Sequence, residues 1–253
     1  MPGRAQSFGT RAQAYERYRP GYPRTLLDAI TAYAGRPLRT ALEIGAGTGK
    51  ATRLFTAHGI TVTATDPDPA MLAELRKHLP GVRTVRAAFE ELQPDGPYDL
   101  VYAAAALHWT DPRRRWERLA QFLPAGGVFA SFGGPISLTD PAVAEAVATA
   151  QAPWLDTHHI PSPDGTPPDA PLQWPGTELQ NSPWFTDIQQ STVERRLTMS
   201  RADYLGHLST VSAYLILPDD DQEEVFTRIE QVLPDTVDVT ADLTLHLARR
   251  TQP

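Results

Sequence analysis

Cysteine is absent from this 253-residue chain. Disulfides and thiolate chemistry are therefore excluded, whatever the compartment. An excess of positive charge is also missing: 23 Lys and Arg face 30 Asp and Glu, for a formal charge of −7. Such a chain has no general attraction to a phosphate backbone, and nucleic acid is not expected as its partner. Long hydrophobic runs are lacking too. The longest, around residues 100–109, is too short to cross a bilayer, so no membrane partner is expected. No apolar targeting segment follows Met1-Pro2-Gly3-Arg4, which makes a cytoplasmic location the expectation. Internal repeats are absent. Adjacent His158 and His159 would point apart in an extended loop with only Asp156 and Asp164 nearby, so no metal is expected.

What the chain does have is 41% hydrophobic residues, enough for one large α/β domain, or for such a domain with a cap. Strand and helix patterns alternate from residue 40 to 133. The strands fall at 40–44, 61–65, 82–87, 99–104 and 127–132; helices fall at 50–58 and 70–79, and Asp111-Pro112 begins another. Strands separated by helices predict a parallel, doubly wound sheet with right-handed crossovers.

The first strand runs into Leu42-Glu43-Ile44-Gly45-Ala46-Gly47-Thr48-Gly49-Lys50, and the second ends at Ala64-Thr65-Asp66. Alternating glycines at a strand–helix turn let a ligand approach the backbone, and an acid ending the next strand can accept both hydroxyls of a ribose. The spacing is G-x-G-x-G. In the dinucleotide fingerprint G-x-G-x-x-G the third glycine falls where Lys50 stands, to pack a helix beneath a pyrophosphate. A nucleoside ligand without phosphate, such as S-adenosylmethionine (SAM), does not need that arrangement.

Beyond residue 140 the pattern changes. An Ala-rich helix is predicted at 142–150. Residues 153–183 carry Pro161, Pro163, Pro167, Pro168, Pro171 and Pro175 together with Trp154 and Trp174. So many prolines predict neither helix nor central strand, and the tryptophans predict an ordered lid over the cleft. A strand is predicted at 187–199. A helix to residue 217 follows the capping sequence Ser200-Arg201-Ala202-Asp203, then a helix at 219–232 and a last strand at 237–248.

Several segments together resemble the motifs of class I SAM-dependent methyltransferases. They are residues 43–50, Asp66, Ala87-Ala88-Phe89-Glu90-Glu91-Leu92, Tyr98-Asp99-Leu100-Val101 leading to Leu107-His108-Trp109, and Leu123-Pro124-Ala125-Gly126-Gly127. The chain is similar to the small-molecule branch that includes trans-aconitate and ubiquinone/menaquinone-type methyltransferases. The resemblance spans roughly residues 8–135 and returns more weakly over 187–250. It implies an α/β fold: a Rossmann-like, doubly wound, seven-stranded sheet whose last strand is antiparallel, with a cap or lid insertion. Residues 1–35 would form a helical segment over the cofactor, 36–140 the SAM-binding core, 141–186 the lid, and 187–253 the completion of the sheet. SAM would be the cofactor and methyl transfer the reaction.

Carried onto this sequence, the cofactor-binding candidates are Glu43, Gly45, Ala46, Gly47, Gly49, Asp66, Pro67 and Met71. Ala88, Phe89 and Glu90 would lie beside adenine, Ala104 beside the methionine part, and Tyr18 or Arg19 at its carboxylate. Tyr22, Trp109, Trp154 and Trp174 are substrate-binding candidates. His108 is the catalytic candidate, as a base or as an orienting group. Structural alternatives stand beside these: Asp66 as a helix cap, Glu43 paired with a basic side chain, Phe89 in the core, and His108 bonded to a backbone carbonyl.

The tryptophans favour a flat aromatic acceptor, an indole- or phenol-like small molecule of secondary metabolism. A small carboxylic acid such as trans-aconitate is the alternative, and it would need one or two arginines in the cleft. Ala-Ala-Leu-His-Trp at 105–109 stands where nucleobase-amine methyltransferases carry an Asn/Asp-Pro-Pro-aromatic motif, which disfavours that substrate. From other classes, an NAD(P)-binding oxidoreductase is disfavoured by the glycine spacing and the lack of a Tyr-x-x-x-Lys pair, and a non-catalytic SAM-binding regulator stays open. A monomer or homodimer is expected.

Overall fold

The computed structural model describes residues 11–155 and 162–252. His158 and His159 lie outside the described residues, as do Asp156, Pro161 and the first part of the expected N-terminal segment.

Helices α1 (Ala12–Tyr18) and α2 (Arg24–Ala34) precede β1 (Thr40–Ile44). Then come α3 (Lys50–Ala57), β2 (Thr61–Asp66), α4 (Pro69–His78), β3 (Arg83–Arg86), β4 (Leu100–Ala104), α5 (Arg115–Ala120) and β5 (Val128–Gly133). After β6 (Ser137–Leu138) the chain forms α6 (Pro141–Gln151), α7 (Gly176–Gln180), β7 (Phe185–Val193) and β8 (Arg196–Ser200). It ends with α8 (Arg201–Leu208), α9 (Ser212–Leu215), α10 (Asp219–Val232), β9 (Thr236–Thr240) and β10 (Leu243–Arg250).

Seven strands form one sheet in the order β3-β2-β1-β4-β5-β10-β7. The first five are parallel and β10 runs antiparallel to β5, as expected. Apolar runs let β1, β4 and β5 bury both faces. On one face α2 and α3 bring Leu26, Ile30 and Phe55 against Tyr102 and Phe132. Phe55 stacks on Tyr102 with ring centroids 4.2 Å apart. Each such fully buried side chain contributes roughly 1.5–3 kcal/mol through the area it removes from water. The other face buries Phe122 and Phe129. The strand order reverses between β1 and β4, where open α/β sheets form their ligand crevice.

A second lobe is built from residues 137–155 and 196–240. Strands β6-β9-β8 make its three-stranded sheet, and Val147, Tyr204, Val225, Ile229 and Val239 its core. Two single strands were expected here, at 187–199 and 237–248. Each is instead broken in two, and the halves belong to different sheets. The breaks lie side by side: Ala241 N–H donates to Arg195 C=O at 3.0 Å, and Arg195 N–H donates to Asp242 Oδ1 at 2.7 Å. The helix expected over 201–217 is likewise interrupted between α8 and α9.

Residues 162–183 do not form the lid expected of them. They lie against the core sheet, where α7 packs on β7 and β10. Gln173 N–H donates to Gln190 Oε1 at 2.6 Å. The stretch also contains helix α7, which its prolines were expected to forbid. Asp111 does not cap α5, which starts at Arg115; its carboxylate takes Arg113 instead. Among the described residues no helix is long and apolar enough to cross a membrane, and no cluster of His, Asp and Glu could hold a metal ion.

Candidate functional site

The turn from β1 to α3 sets the site. Gly45 and Gly47 have φ of 66° and 55°, a region that disfavours any side chain. A Cβ at Gly45 would fall 2.5 Å from Ala106 Cβ, so the end of β4 fixes that position. A Cβ at Gly47 would meet nothing within 4 Å: the backbone there opens onto free space, as a ligand cradle requires.

Asp66, at the end of β2, faces this turn. Gly47 N–H donates to its Oδ2 at 2.9 Å and Asp68 N–H to its Oδ1 at 2.8 Å. The cap of α4 is Asp68, which accepts from Ala70 N–H at 2.8 Å, so Asp66 is not the helix cap. Each carboxylate oxygen keeps a second acceptor site for a hydroxyl. Burial raises the Asp66 pKa to about 6, against the two backbone N–H groups that lower it.

Glu43 is fully buried beneath the turn. Its Oε2 accepts from Thr52 Oγ1 at 2.5 Å and Tyr102 Oη at 2.8 Å, while Oε1 has no partner among the described residues. Burial lifts its pKa to about 8. No basic side chain pairs with it there. The open face at Gly47 fits a nucleoside ligand lying against the turn.

Beside the turn, between the sheet and the second lobe, lies a cleft. The N-terminal segment supplies Tyr15, Arg19, Pro20 and Tyr22; Lys50 opens α3, Ala105, Gly133 and Gly134 come from the strand ends, and Arg195 and Ala241 from the two breaks. Arg19 is clamped to the second lobe, its Nε donating to Thr210 Oγ1 at 2.8 Å and its Nη2 to Thr210 C=O at 2.9 Å. Lys50 pairs with Glu16 at 3.4 Å, and Arg53 joins that carboxylate at 2.8 Å, pinning α1 to α3. Tyr22 sets its ring edge-on to Phe132 at 5.1 Å, and burial raises its pKa. The Arg195 guanidinium has no hydrogen bond or ion pair among the described residues, and burial lowers its pKa.

The structure thus brings Arg19 and Tyr22 to the cleft and sets Glu43, Gly45, Ala46, Gly47, Gly49 and Asp66 around the adjoining turn. Ala104 lies one residue before Ala105, Pro67 follows Asp66, and Met71 is buried on α4. Other candidates make protein contacts of their own. Tyr18 packs on α8, where a Cβ at Gly206 would collide with its ring. Phe89 is a core residue, 5% exposed and 6.3 Å from the Phe122 ring. Glu90 Oε1 accepts from Asp111 N–H at 2.6 Å, and Ala88 N–H donates to Glu91 Oε2 at 3.3 Å. Trp154 belongs to the second lobe, donating to Asp221 Oδ1 at 3.0 Å under the Arg228 guanidinium. Trp174 packs on the core, donating to Glu178 Oε1 at 2.9 Å beneath Arg115.

His108 and Trp109 sit on a short 3-10 turn beyond β4, partly exposed, with ring centroids 4.6 Å apart. Neither is among the residues lining the cleft. Surrounding protein desolvates the imidazole and the Arg115 charge opposes its protonation, so its pKa falls. Sequence reasoning missed Tyr15, Lys50 and Arg195. Tyr15 and Lys50 flank recognised motifs. Arg195 carried no signal, since its place depends on where β7 ends.

The sheet order, the antiparallel β10 and a glycine turn facing an acid define the class I SAM-dependent methyltransferase fold. Residues 42–131 match the family described as methyltransferase domain. An uncharacterised methyltransferase of Mycobacterium tuberculosis is 41% identical over 122 residues, 48% of this chain and 49% of that protein. A trans-aconitate 2-methyltransferase of Rhizobium etli is 35% identical over 124 residues, 47% of this chain and 48% of that protein. The chain spans about half the length of the curated relatives it matches. A solved structure from Anaeromyxobacter dehalogenans, provisionally assigned as a type II methyltransferase, superposes with TM-score 0.65 at 25% identity over 93% of this chain and all of that one. Haemonchus contortus phosphoethanolamine N-methyltransferase 2, solved with SAM, shares the fold at TM-score 0.53 and 18% identity, over 98% of this chain and 60% of that chain. The chain shares the fold of the class I SAM-dependent methyltransferases, and over residues 42–131 it matches a methyltransferase domain.

Proposed function

We propose that the chain transfers a methyl group from SAM to a small carboxylic acid. One observation carries this reading: the cleft beside the cofactor turn is walled by Arg19, Lys50 and Arg195. The tryptophans that favoured a flat aromatic acceptor lie in the two cores instead. The likeness to trans-aconitate 2-methyltransferases supports the acid reading.

Asp66 would hold the ribose hydroxyls and the Gly45–Gly49 backbone would lie against the nucleoside, while Glu43 stays buried beneath the turn, bonded to Thr52 and Tyr102. Arg19 suits the methionine carboxylate. When bound, SAM supplies a sulfonium-activated methyl group, which an acceptor oxygen takes in line as the carbon–sulfur bond breaks. A carboxylic acid is already ionised at neutral pH, so no proton need be removed. The protein's part is then to align the acceptor and keep water out. Within this reading His108 has no proton to remove and is not needed as a base. The test is release of S-adenosylhomocysteine during incubation with SAM and a panel of small carboxylic acids, indoles and phenols. Turnover of the acids supports the proposal; turnover confined to indoles or phenols refutes it.

A further inference from the structure

Three cations wall the cleft, and two are already engaged. Arg19 gives Nε and Nη2 to Thr210, and Lys50 gives its ammonium to Glu16. The Arg195 side chain alone has no hydrogen bond or ion pair among the described residues. Its neighbour Arg196 pairs with Asp242 at 2.8 Å. The Arg195 backbone is fixed on both sides, through Ala241 N–H and Asp242 Oδ1, and this crossing of two chain segments places the residue at the cleft. A half-buried cation without a counter-ion is costly unless a ligand supplies one, and a planar guanidinium matches a carboxylate with two parallel hydrogen bonds.

Such a pairing has a chemical consequence. A guanidinium that engages both oxygens of a carboxylate withdraws the electron density that an attacking oxygen needs. The carboxylate seated on Arg195 is therefore not the one that takes the methyl group. We infer that Arg195 is the specificity-determining residue for an acceptor carrying a second, non-reacting carboxylate, a dicarboxylate at least. This rests on the methyl-transfer reading above. In the balanced step one carboxylate oxygen forms the new bond to the methyl carbon, the carbon–sulfur bond breaks with its electron pair going to sulfur, and the Arg195-bound carboxylate is unchanged.

Calorimetric titration of the protein loaded with S-adenosylhomocysteine tests it. The probes are fumarate and trans-aconitate against fumaramate, the fumarate analogue in which one carboxylate is an uncharged amide of the same shape. At least one polyanion is expected to bind about tenfold to several hundredfold more tightly than fumaramate. Arg195→Leu should erase that preference and Arg195→Lys recover part of it, with S-adenosylhomocysteine affinity within about twofold in both. Equal binding of fumaramate and both polyanions, or a preference that survives Arg195→Leu, overturns the inference. Because this readout needs no turnover, it separates from the broader reading, which fails if no carboxylic acid yields S-adenosylhomocysteine.

Discussion

Asp66 and Gly47 are joined across the β1–α3 turn by a 2.9 Å hydrogen bond, the glycine N–H donating to Oδ2. This contact fixes the carboxylate against the open face of the glycine backbone, where a ribose would lie. The bond to Asp68 fixes the other oxygen. The carboxylate is thereby oriented before any ligand arrives, which spares the ordering cost on binding.

Replacing Asp66 should therefore cost affinity. Each hydroxyl-to-carboxylate bond is worth roughly 1.5–3 kcal/mol, so Asp66→Ala, which removes both, should weaken S-adenosylhomocysteine binding about a hundredfold or more by calorimetry. The pH dependence follows from its pKa of about 6. The ionised form accepts from the hydroxyls, so affinity should rise as pH increases through that value. Asp66→Asn should bind weakly at all pH and lose the rise.

Glu43 gives a stability prediction. Its ordinary value of 4.5 applies in the unfolded chain, whereas burial holds it at about 8 in the fold. Between these values the folded state keeps a proton that the unfolded chain has released. Stability is thus fully present below pH 4.5 and declines as pH rises toward 8, by on the order of a few kcal/mol. Glu43→Gln stays neutral and should flatten that decline in thermal melts recorded from pH 4.5 to 9. Parallel curves for the two proteins would contradict the buried, protonated carboxyl.

Gly45 should tolerate no side chain. Gly45→Ala places a Cβ 2.5 Å from Ala106 Cβ at a φ of 66°. The combined strain predicts about 1–3 kcal/mol of destabilisation in denaturant unfolding. Gly47→Ala meets no neighbour, so it should melt closer to the wild type yet bind S-adenosylhomocysteine less well.

His108 should matter moderately. With an acceptor that needs no deprotonation, His108→Ala should slow methyl transfer by less than about tenfold. General-base catalysis would show as a loss of about 10²- to 10⁴-fold in kcat, and a loss of that size would restore the base role.

The core sheet was legible because its strands announce themselves in two ways: apolar runs at β1, β4 and β5, and turn chemistry at Gly45–Gly49 and Asp66-Pro67-Asp68. The second lobe was not legible for a physical reason. Val237, Val239, Ala241, Leu243, Leu245 and Leu247 alternate without interruption, and all six are buried although the first two lie in one sheet and the last three in the other. The change of sheet at Ala241-Asp242 therefore leaves the period intact. The same holds at Val193, which hid Arg195. Proline density argued against any helix in 162–183, yet α7 forms there, and it carried no information on which surface that stretch covers, so Trp174 was misplaced. Phe89 illustrates a related limit: its motif position is recognisable, yet an apolar ring serves a core or a ligand equally well.

Identifying the methylated product by mass spectrometry, after incubation with SAM and equimolar dicarboxylic acids, their amides, indole and phenol, tests the central claim most directly. The account predicts a monomethyl ester of a dicarboxylic acid, with the amides, indole and phenol recovered unchanged. Methylated indole or phenol beside untouched acids would contradict it.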